Sequence, residues 1–420
     1  MATYNLPRGT RDILPPESTM VRLIESRARD IFTLYGYKEI ITPVFEQTEL
    51  FTRSIGENTD IVQKEMYTFR DRKGRLLALR PEGTAPVIRA YIEHSLFNGS
   101  PTTRLFYLGP MFRYEKPQTG RQREFFQIGA ECIGSSSPFS DTEIILLALD
   151  LLKAFGLEDF CLQVNSVGCK RCRPEYSKRM KDALKPEEKN LCSACRQRLQ
   201  RSPLRVLDCK IDRERIRSLP PISEYLCEEC RSHFRELTRI LKSSGVTFQL
   251  NPYLVRGLDY YTRTAFEIVS ELLGSQNALA AGGRYDLLVQ ELGGPDMPAT
   301  GFALGMERVL HSLKKKKLRS EGEKREDCFI ASLGSKARER AFLLLGELRG
   351  RGISGIMDYG DKSLKSQMRQ ANKYGVLYSL IIGEDELKRG IVILRDMKSS
   401  QQEEISLQSI IDELYKKIRD

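Results

Sequence analysis

Histidine is scarce in this chain: three in 420 residues, His94, His233 and His311. None is paired at helical spacing, which excludes a zinc hydrolase built on a histidine pair along one helix face. No apolar run is long enough to cross a bilayer. The opening stretch, MATYNLPRGTRDILPPE, carries no apolar signal core, so the chain is expected in the cytoplasm, with no membrane partner. The phosphate-cradling P-loop and the G-x-S-x-G nucleophile turn are both missing. Gly350-Arg351-Gly352-Ile353-Ser354-Gly355 does match the dinucleotide pattern. It follows a helical pattern and precedes a strand pattern, the reverse of what a pyrophosphate needs, so it reads as a helix stop. No internal repeat of fixed period is visible.

What is present is an ordinary globular composition, 40% hydrophobic and 29% charged, with a formal charge of +11. The length implies two or three domains. The charge is uneven: residues 166–240 hold 19 Lys and Arg against 11 Asp and Glu. The same stretch holds seven of the ten cysteines. A basic, cysteine-rich module points to a nucleic-acid contact organised by metal, against the plainer reading of a solvated basic face.

Hydrophobic periodicity predicts a helix over 18–35, with Val21, Ile24, Ala28, Ile31 and Leu34 inward and Gly36 as its stop. A strand over 38–42 follows, ended by Pro43. Further strands are expected over 66–69, 76–79, 103–107, 125–133, 162–165, 266–269 and 299–303, and helices over 85–94, 142–155, 234–243 and 306–313. Beyond a charged linker, strand and helix patterns alternate to the end. The expected class is therefore α+β in front, with a small α/β domain behind.

Four segments carry chemistry. LVRGLDYYTRT, from Leu254 to Thr264, sets Arg256, Asp259, Tyr260 and Tyr261 inside a strand pattern, where such groups need partners. The alternative is a strand with a solvated polar bulge. Arg80-Pro81-Glu82-Gly83-Thr84-Ala85-Pro86 turns a strand into a helix whose exposed start and Glu82 can hold a small polar ligand. FRYEKPQTGRQREFFQ, 112–127, reads as a hairpin with basic residues at its mouth and an aromatic in range of a base. Gly301-Phe302-Ala303-Leu304-Gly305-Met306-Glu307-Arg308 is a strand, a glycine turn and a helix start with an arginine. Each could be structural by itself. Together they set Arg113, Arg256 and Arg308 near strand ends, which suits a triphosphate, because guanidinium forks match phosphate oxygens.

In these strings the chain resembles the class II aminoacyl-tRNA synthetases. The 18–43 helix, strand and Pro43 are similar to motif 1, FRYE…RQREFFQ to motif 2, and GFALGMERV to motif 3. RGLDYYTRT and Ala281-Gly282-Gly283-Arg284-Tyr285-Asp286 resemble strings of the histidine–tRNA ligases, and the likeness covers essentially the whole chain. The resemblance implies a class II antiparallel-sheet catalytic domain over 1–165 and 246–320, interrupted by a Cys-rich basic helical insertion over 166–245. A linker over 314–326 and an anticodon-binding α/β domain over 327–420 would follow. It implies activation of L-histidine with ATP to histidyl-adenylate, then transfer to the terminal adenosine of histidine tRNA, by a homodimer using Mg2+.

On that resemblance Arg113 and Arg256 are the catalytic pair at the α-phosphate, and Arg308 binds the γ-phosphate. Phe125 stacks on adenine, with Glu115 and Arg121 also at the ATP. Glu82, Gly83, Thr84 and Gln127 take the α-ammonium side of histidine, and Tyr260, Gly282 and Arg284 line its pocket. Neutral imidazole has one donor and one acceptor nitrogen. Glu131, on the same strand face as Gln127, accepts from the first, and the Tyr261 hydroxyl donates to the second. Gln118, Arg121 and Arg123 would contact the tRNA. A non-catalytic paralogue regulating histidine biosynthesis is the alternative, ranked lower because such proteins lack the last domain. Finally, Cys169-x2-Cys172-x19-Cys192-x2-Cys195 falls within zinc spacing, and Cys227-x2-Cys230 and Cys209 are additional candidates for a structural zinc.

Overall fold

The computed structural model of the protein describes residues 4–118, 121–274, 277–316 and 326–419. Contacts divide the chain into two units, Met1–Arg319 and Ser320–Asp420.

The first unit uses strands β1 (Lys38–Glu39), β2 (Phe45–Gln47), β3 (Thr68–Arg70), β4 (Leu76–Leu79), β5 (Thr103–Phe112), β6 (Glu124–Ile133), β7 (Cys161–Ser166), β8 (Phe248–Leu250), β9 (Thr262–Val269), β10 (Ala278–Arg284) and β11 (Ala299–Gly305). Eight of them form one sheet in the order β1-β5-β6-β11-β10-β9-β7-β8. The run from β5 to β7 is antiparallel throughout, and the parallel pairs β1/β5 and β7/β8 lie at its edges. A small sheet, β2-β4-β3, stands beside it.

Period-two alternation decides what each face of the large sheet carries. On β6, Ile128, Ala130 and Cys132 point into the apolar core, while Phe125 and Gln127 line a cavity on the other face. The core is closed by the helices Glu17–Leu34, Pro138–Ala154 and Met306–Lys315, through residues such as Phe32, Leu147, Leu151 and Val309, against Phe266 and Phe302 of the sheet. The Pro138–Ala154 helix is buried almost all round, because further helices cover its outer side. Its start is fixed by Pro138 in the first turn and by the Ser137 hydroxyl, which accepts the Phe139 N–H at 3.3 Å.

The differences from expectation have local causes. Strand β1 stops at Glu39, because Thr42 turns its carbonyl and hydroxyl to the buried Arg80 guanidinium, each 3.0 Å away. In the first helix Phe32 takes the buried position and Leu34 is left 81% exposed. Three alanines and two glycines make up most of strand β10, so it carries little strand propensity of its own. It forms because β9 and β11 both pair with it.

Between the neighbours β7 and β8 the chain makes a long helical excursion, with a small core of Tyr176, Met180, Leu199 and Ile216. Its last helix, Glu228–Ser243, returns Leu237 and Leu241 to the main core. The expected linker begins too early at Lys314, since the helix from Met306 continues to Lys315. Residues 317–325 of that linker lie outside the described residues.

The second unit has strands β12 (Cys328–Ser332), β13 (Gly355–Met357), β14 (Tyr378–Ile382), β15 (Ile391–Asp396) and β16 (Gln402–Ser406), in the sheet order β13-β12-β14-β15-β16. Its core gathers Leu344, Leu348, Leu380, Val392 and Leu414. The sequence pattern misses β16, which is polar and mostly exposed, and the short helix Glu384–Arg389.

Candidate active site

A cavity of about 1130 Å³ opens on the face of the large sheet away from the main core. Strands β6, β11, β10 and β9 form its floor, and their order brings together residues up to about 180 positions apart in sequence.

At its deep end lies Glu131, fully buried, between two hydroxyl donors. The Thr84 hydroxyl donates at 2.7 Å, and the Tyr285 hydroxyl donates to the other carboxylate oxygen. Burial pushes this carboxyl up to about 8, against the pull of the two hydroxyls. Gly301 pairs with Glu131 across β6 and β11, and a Cβ there would overlap the carboxylate. Gly83 likewise gives room to the Tyr107 ring. Glu82 caps the Thr84–Glu93 helix, accepting the N–H groups of Thr84 at 2.7 Å and Ala85 at 2.9 Å. Burial raises its pKa, and those two bonds oppose the rise. Tyr260 and Tyr261 form one side, ring centroids 4.8 Å apart, with Tyr285 edge-on to Tyr260.

Toward the mouth the cavity turns cationic. Arg113, just past β5, donates to the Pro81 carbonyl at 2.9 Å and lies 5.3 Å from the Phe125 ring centroid. Arg121 meets Glu115 at 3.0 Å. Arg256 donates to Glu267 of β9 at 2.9 Å. Burial works most strongly against the Arg256 charge, but Glu267, Tyr261 and Asp208 together outweigh it and the pKa is raised. Arg308 donates to the Ala278 carbonyl at 2.6 Å. Its pKa is lowered, first by burial and then by the charge of Arg121, with Arg113 and Arg256 adding to it. Arg308 thus feels the charge of three other guanidinium groups across one space, offset in part by Glu267, an arrangement that an anionic ligand would relieve. Among the described residues, buried polar atoms on this wall, Gln127 Oε1 and Arg256 Nε among them, have no hydrogen-bond partner, and a polar ligand would supply one.

Most of the residues expected from sequence meet here: Glu82, Thr84, Arg113, Glu115, Arg121, Phe125, Gln127, Arg256, Tyr260, Tyr261 and Arg308 all line the cavity, with Glu131 beneath. Arg284 does not. It is fully buried in a separate network, bound by Asp141, by Asp286 at 2.9 Å, by the Ser140 hydroxyl at 3.0 Å and by the Ser135 carbonyl at 2.8 Å. A buried guanidinium needs all its donors met, and this strand face meets them. Its neighbour Tyr285 reaches Glu131 in its place. Gly282 faces Phe266 and Phe302 of the core, and Ala281 lines the cavity instead. Gly83 packs on Tyr107 without lining the space.

On the expected tRNA loop, Gln118 is exposed and bridges to Arg121, while Gly120 lies outside the described residues. Arg123 lies 3.8 Å over the Tyr114 ring and donates to the Glu115 carbonyl at 3.3 Å. Tyr107 and Glu267 stand in ordinary strand patterns, and the alternation of β5 and β9 with Phe125 and Gln127 was the one signal that could have found them, whereas Tyr285 lies just past β10.

The cysteines do not group as their order suggests. Cys169 and Cys172 join Cys227 and Cys230, and Cys192 and Cys195 join Cys209 and Asp212. A single set of Cys169, Cys172, Cys192 and Cys195 is therefore ruled out: the module folds its ends together around its middle.

Comparison with known proteins bears on this cavity. The histidyl-tRNA synthetase family model matches residues 9–309, and the anticodon binding domain model matches 327–417. A histidine–tRNA ligase of Natranaerobius thermophilus is 48% identical over 406 residues, 96% of each chain. One from Halothermothrix orenii is 47% identical over 412 residues, 98% of each. The crystal structure of apo S. aureus histidyl-tRNA synthetase superposes with a TM-score of 0.84 at 36% identity, covering 98% of this chain and 100% of that one.

Proposed function

From the premise that the chain belongs to the histidyl-tRNA synthetase family, of class II, we propose a division of labour among the residues of this cavity. The reaction is that of a histidine–tRNA ligase: ATP activates L-histidine to histidyl-adenylate with release of pyrophosphate, and the histidine passes to the 3′-terminal adenosine of its tRNA. A histidine carboxylate oxygen bonds to the α-phosphorus as the bond to pyrophosphate breaks. A hydroxyl of the terminal adenosine then attacks the adenylate carbonyl and AMP leaves.

The convergence of Arg113, Arg121, Arg256 and Arg308 on one cavity is the observation that carries the reading. Arg113 and Arg256 hold the α-phosphate from opposite sides, where charge builds up in the transition state. Arg308 takes the γ-phosphate, and Phe125, already beside Arg113, stacks on adenine. Glu82, Thr84 and Gln127 receive the α-ammonium. The imidazole lies between Glu131 and the Tyr261 hydroxyl. A site that hydrogen-bonds both ring nitrogens rejects apolar isosteres without an editing step.

Magnesium prefers oxygen ligands and shares its shell between phosphates and one or two carboxylates. Glu115, ion-paired to Arg121 in the cavity, fits that requirement, and the ion would neutralise the departing pyrophosphate. The second unit would read the anticodon, and zinc would hold the inserted module through its cysteines. Leu34 and Ile41, 81% and 87% exposed, favour a homodimer that covers them. Among the described residues no helix is long and apolar enough to cross a membrane. The regulatory-paralogue reading is set aside, because the chain matches ligases over nearly its full length and includes the anticodon-binding match.

The test is amino-acid-dependent ATP–pyrophosphate exchange with all twenty amino acids, on the wild type and on Arg256→Ala. Exchange is expected with histidine alone, reduced about 10²–10³-fold in the variant. Exchange in Arg256→Ala at the wild-type rate would remove Arg256 from the mechanism.

A further inference from the structure

The two sulfur clusters of the inserted module differ in make-up and place. We propose that this module binds two zinc ions in a nested arrangement, and that the inner one is a three-cysteine, one-aspartate centre built into the wall of the active-site cavity. This deepens the zinc reading above and is independent of the ligase chemistry.

The spacing is regular once Asp212 is counted. Four short knuckles occur along the module: Cys169-x2-Cys172, Cys192-x2-Cys195, Cys209-x2-Asp212 and Cys227-x2-Cys230. The first pairs with the fourth and the second with the third. The outer set joins the two ends of the module, and the inner set joins its middle.

Both sets have the dimensions of a single ion. Four sulfurs at the usual zinc–sulfur length of about 2.3 Å define a tetrahedron with edges of about 3.8 Å. In the outer set Cys169 Sγ lies 3.7 Å from Cys172 Sγ and 3.9 Å from Cys227 Sγ. In the inner set Cys209 Sγ lies 3.7 Å from Cys192 Sγ and 3.7 Å from Asp212 Oδ2. The four ligand atoms of each set lie within 4.8 Å of one another. These separations are far beyond a disulfide bond of about 2.05 Å.

The surroundings are also those of bound thiolates. Backbone N–H groups point at sulfur in every knuckle of the inner set: Cys195 N–H to Cys192 Sγ and Asp212 N–H to Cys209 Sγ, both at 3.4 Å. The outer set has the same device, from Arg171 to Cys169 at 3.4 Å and from Cys227 to Cys172 at 3.1 Å. Such outer-shell bonds orient ligands and spread the thiolate charge. Asp212, fully buried, also accepts the Cys192 N–H at 3.0 Å, which aims its carboxylate into the set.

Location gives the inner ion its consequence. Cys192, Cys209, Asp208 and Arg198 line the active-site cavity. Asp208 and Arg256 line the same cavity. An ion between 192 and 212 thus fixes the segment that faces the α-phosphate arginine, while the outer ion only closes the module's neck.

Metal content decides. The full chain, purified without added metal, is measured by elemental analysis and native mass spectrometry. About two zinc ions per chain are expected. Cys209→Ser with Asp212→Ala should leave about one, and Cys227→Ser with Cys230→Ser should also leave about one. Should a variant fail to fold, the stripped wild type reloaded with Co2+ gives the same answer. Its visible absorption should saturate at about two equivalents and resolve into an all-sulfur and a mixed sulfur–oxygen centre. One zinc per chain, unchanged by Cys209→Ser with Asp212→Ala, overturns the inner site and leaves the single-zinc reading standing. No zinc overturns both. Neither result touches the exchange assay on which the ligase reading rests.

Discussion

Glu131→Gln separates the pocket's two demands on this residue, recognition and burial. The carboxyl is fully buried, with the hydroxyls of Thr84 and Tyr285 as partners, and its pKa is pushed up to about 8. In the unfolded chain the value is near 4.5. A carboxyl raised on folding keeps its proton longer in the native state. Stability is therefore highest below the unfolded pKa and falls as pH rises toward the folded one. The loss is about 3 kcal/mol by pH 7 and approaches about 5 kcal/mol above pH 8, at 1.36 kcal/mol per unit. Glutamine has the same shape and no charge to bury. The difference in unfolding free energy between variant and wild type, followed by urea denaturation, should thus grow in the variant's favour from pH 5 to pH 8. Catalysis should move the other way. Above pH 8, where the carboxyl is ionised, loss of a charged acceptor for the imidazole N–H removes about 1.5–3 kcal/mol, or roughly 10–150-fold in KM for histidine. KM for ATP should stay within about threefold, since its arginines lie on other elements than β6. An unchanged KM for histidine, or equal rises for both substrates, would refute the recognition role. A stability difference that is flat with pH would refute the burial account.

Three further outcomes follow from the same geometry. Gly301→Ala places a methyl group on the Glu131 carboxylate, so histidine-dependent exchange should fall by about 10²-fold while circular dichroism stays unchanged; near-normal exchange would show that the floor has slack. Asp141→Ala removes one of the two carboxylates that hold the buried Arg284 guanidinium and should cost about 3–5 kcal/mol by denaturant unfolding of the first unit. A loss below about 1 kcal/mol would mean that water reaches that network. Stripping zinc through the inner set should raise KM for ATP several-fold by loosening the segment around Asp208, whereas Cys227→Ser with Cys230→Ser should leave it near the wild-type value.

Much of this site was legible in the chain because its signals are local. Arg113 follows the end of β5, Arg308 stands in the first turn of the helix after β11, and Arg256 lies in the irregular run that leads into β9. Glu82 stands where a helix begins, and Gln127 and Glu131 share a strand face by simple parity. Composition and pattern also separated the α+β front from the α/β end, and the spacing of cysteine pairs called for metal. What the chain could not reveal is which groups meet across it. Arg284 and Tyr285 are adjacent, and only the turn out of β10, pinned between β9 and β11, sends the guanidinium to Asp141 and the phenol to Glu131. Glu267 becomes the partner of Arg256 because β9 runs along the cavity floor. The knuckles pair in nested order, and Asp212 completes a sulfur set, because the module folds back on itself. Strand parity and helix starts depend on neighbours a few residues away, which sequence records directly. The partner of a buried charge depends on sheet order and side-chain packing, where residues more than a hundred positions apart compete for the same space, and only the tertiary structure decides that.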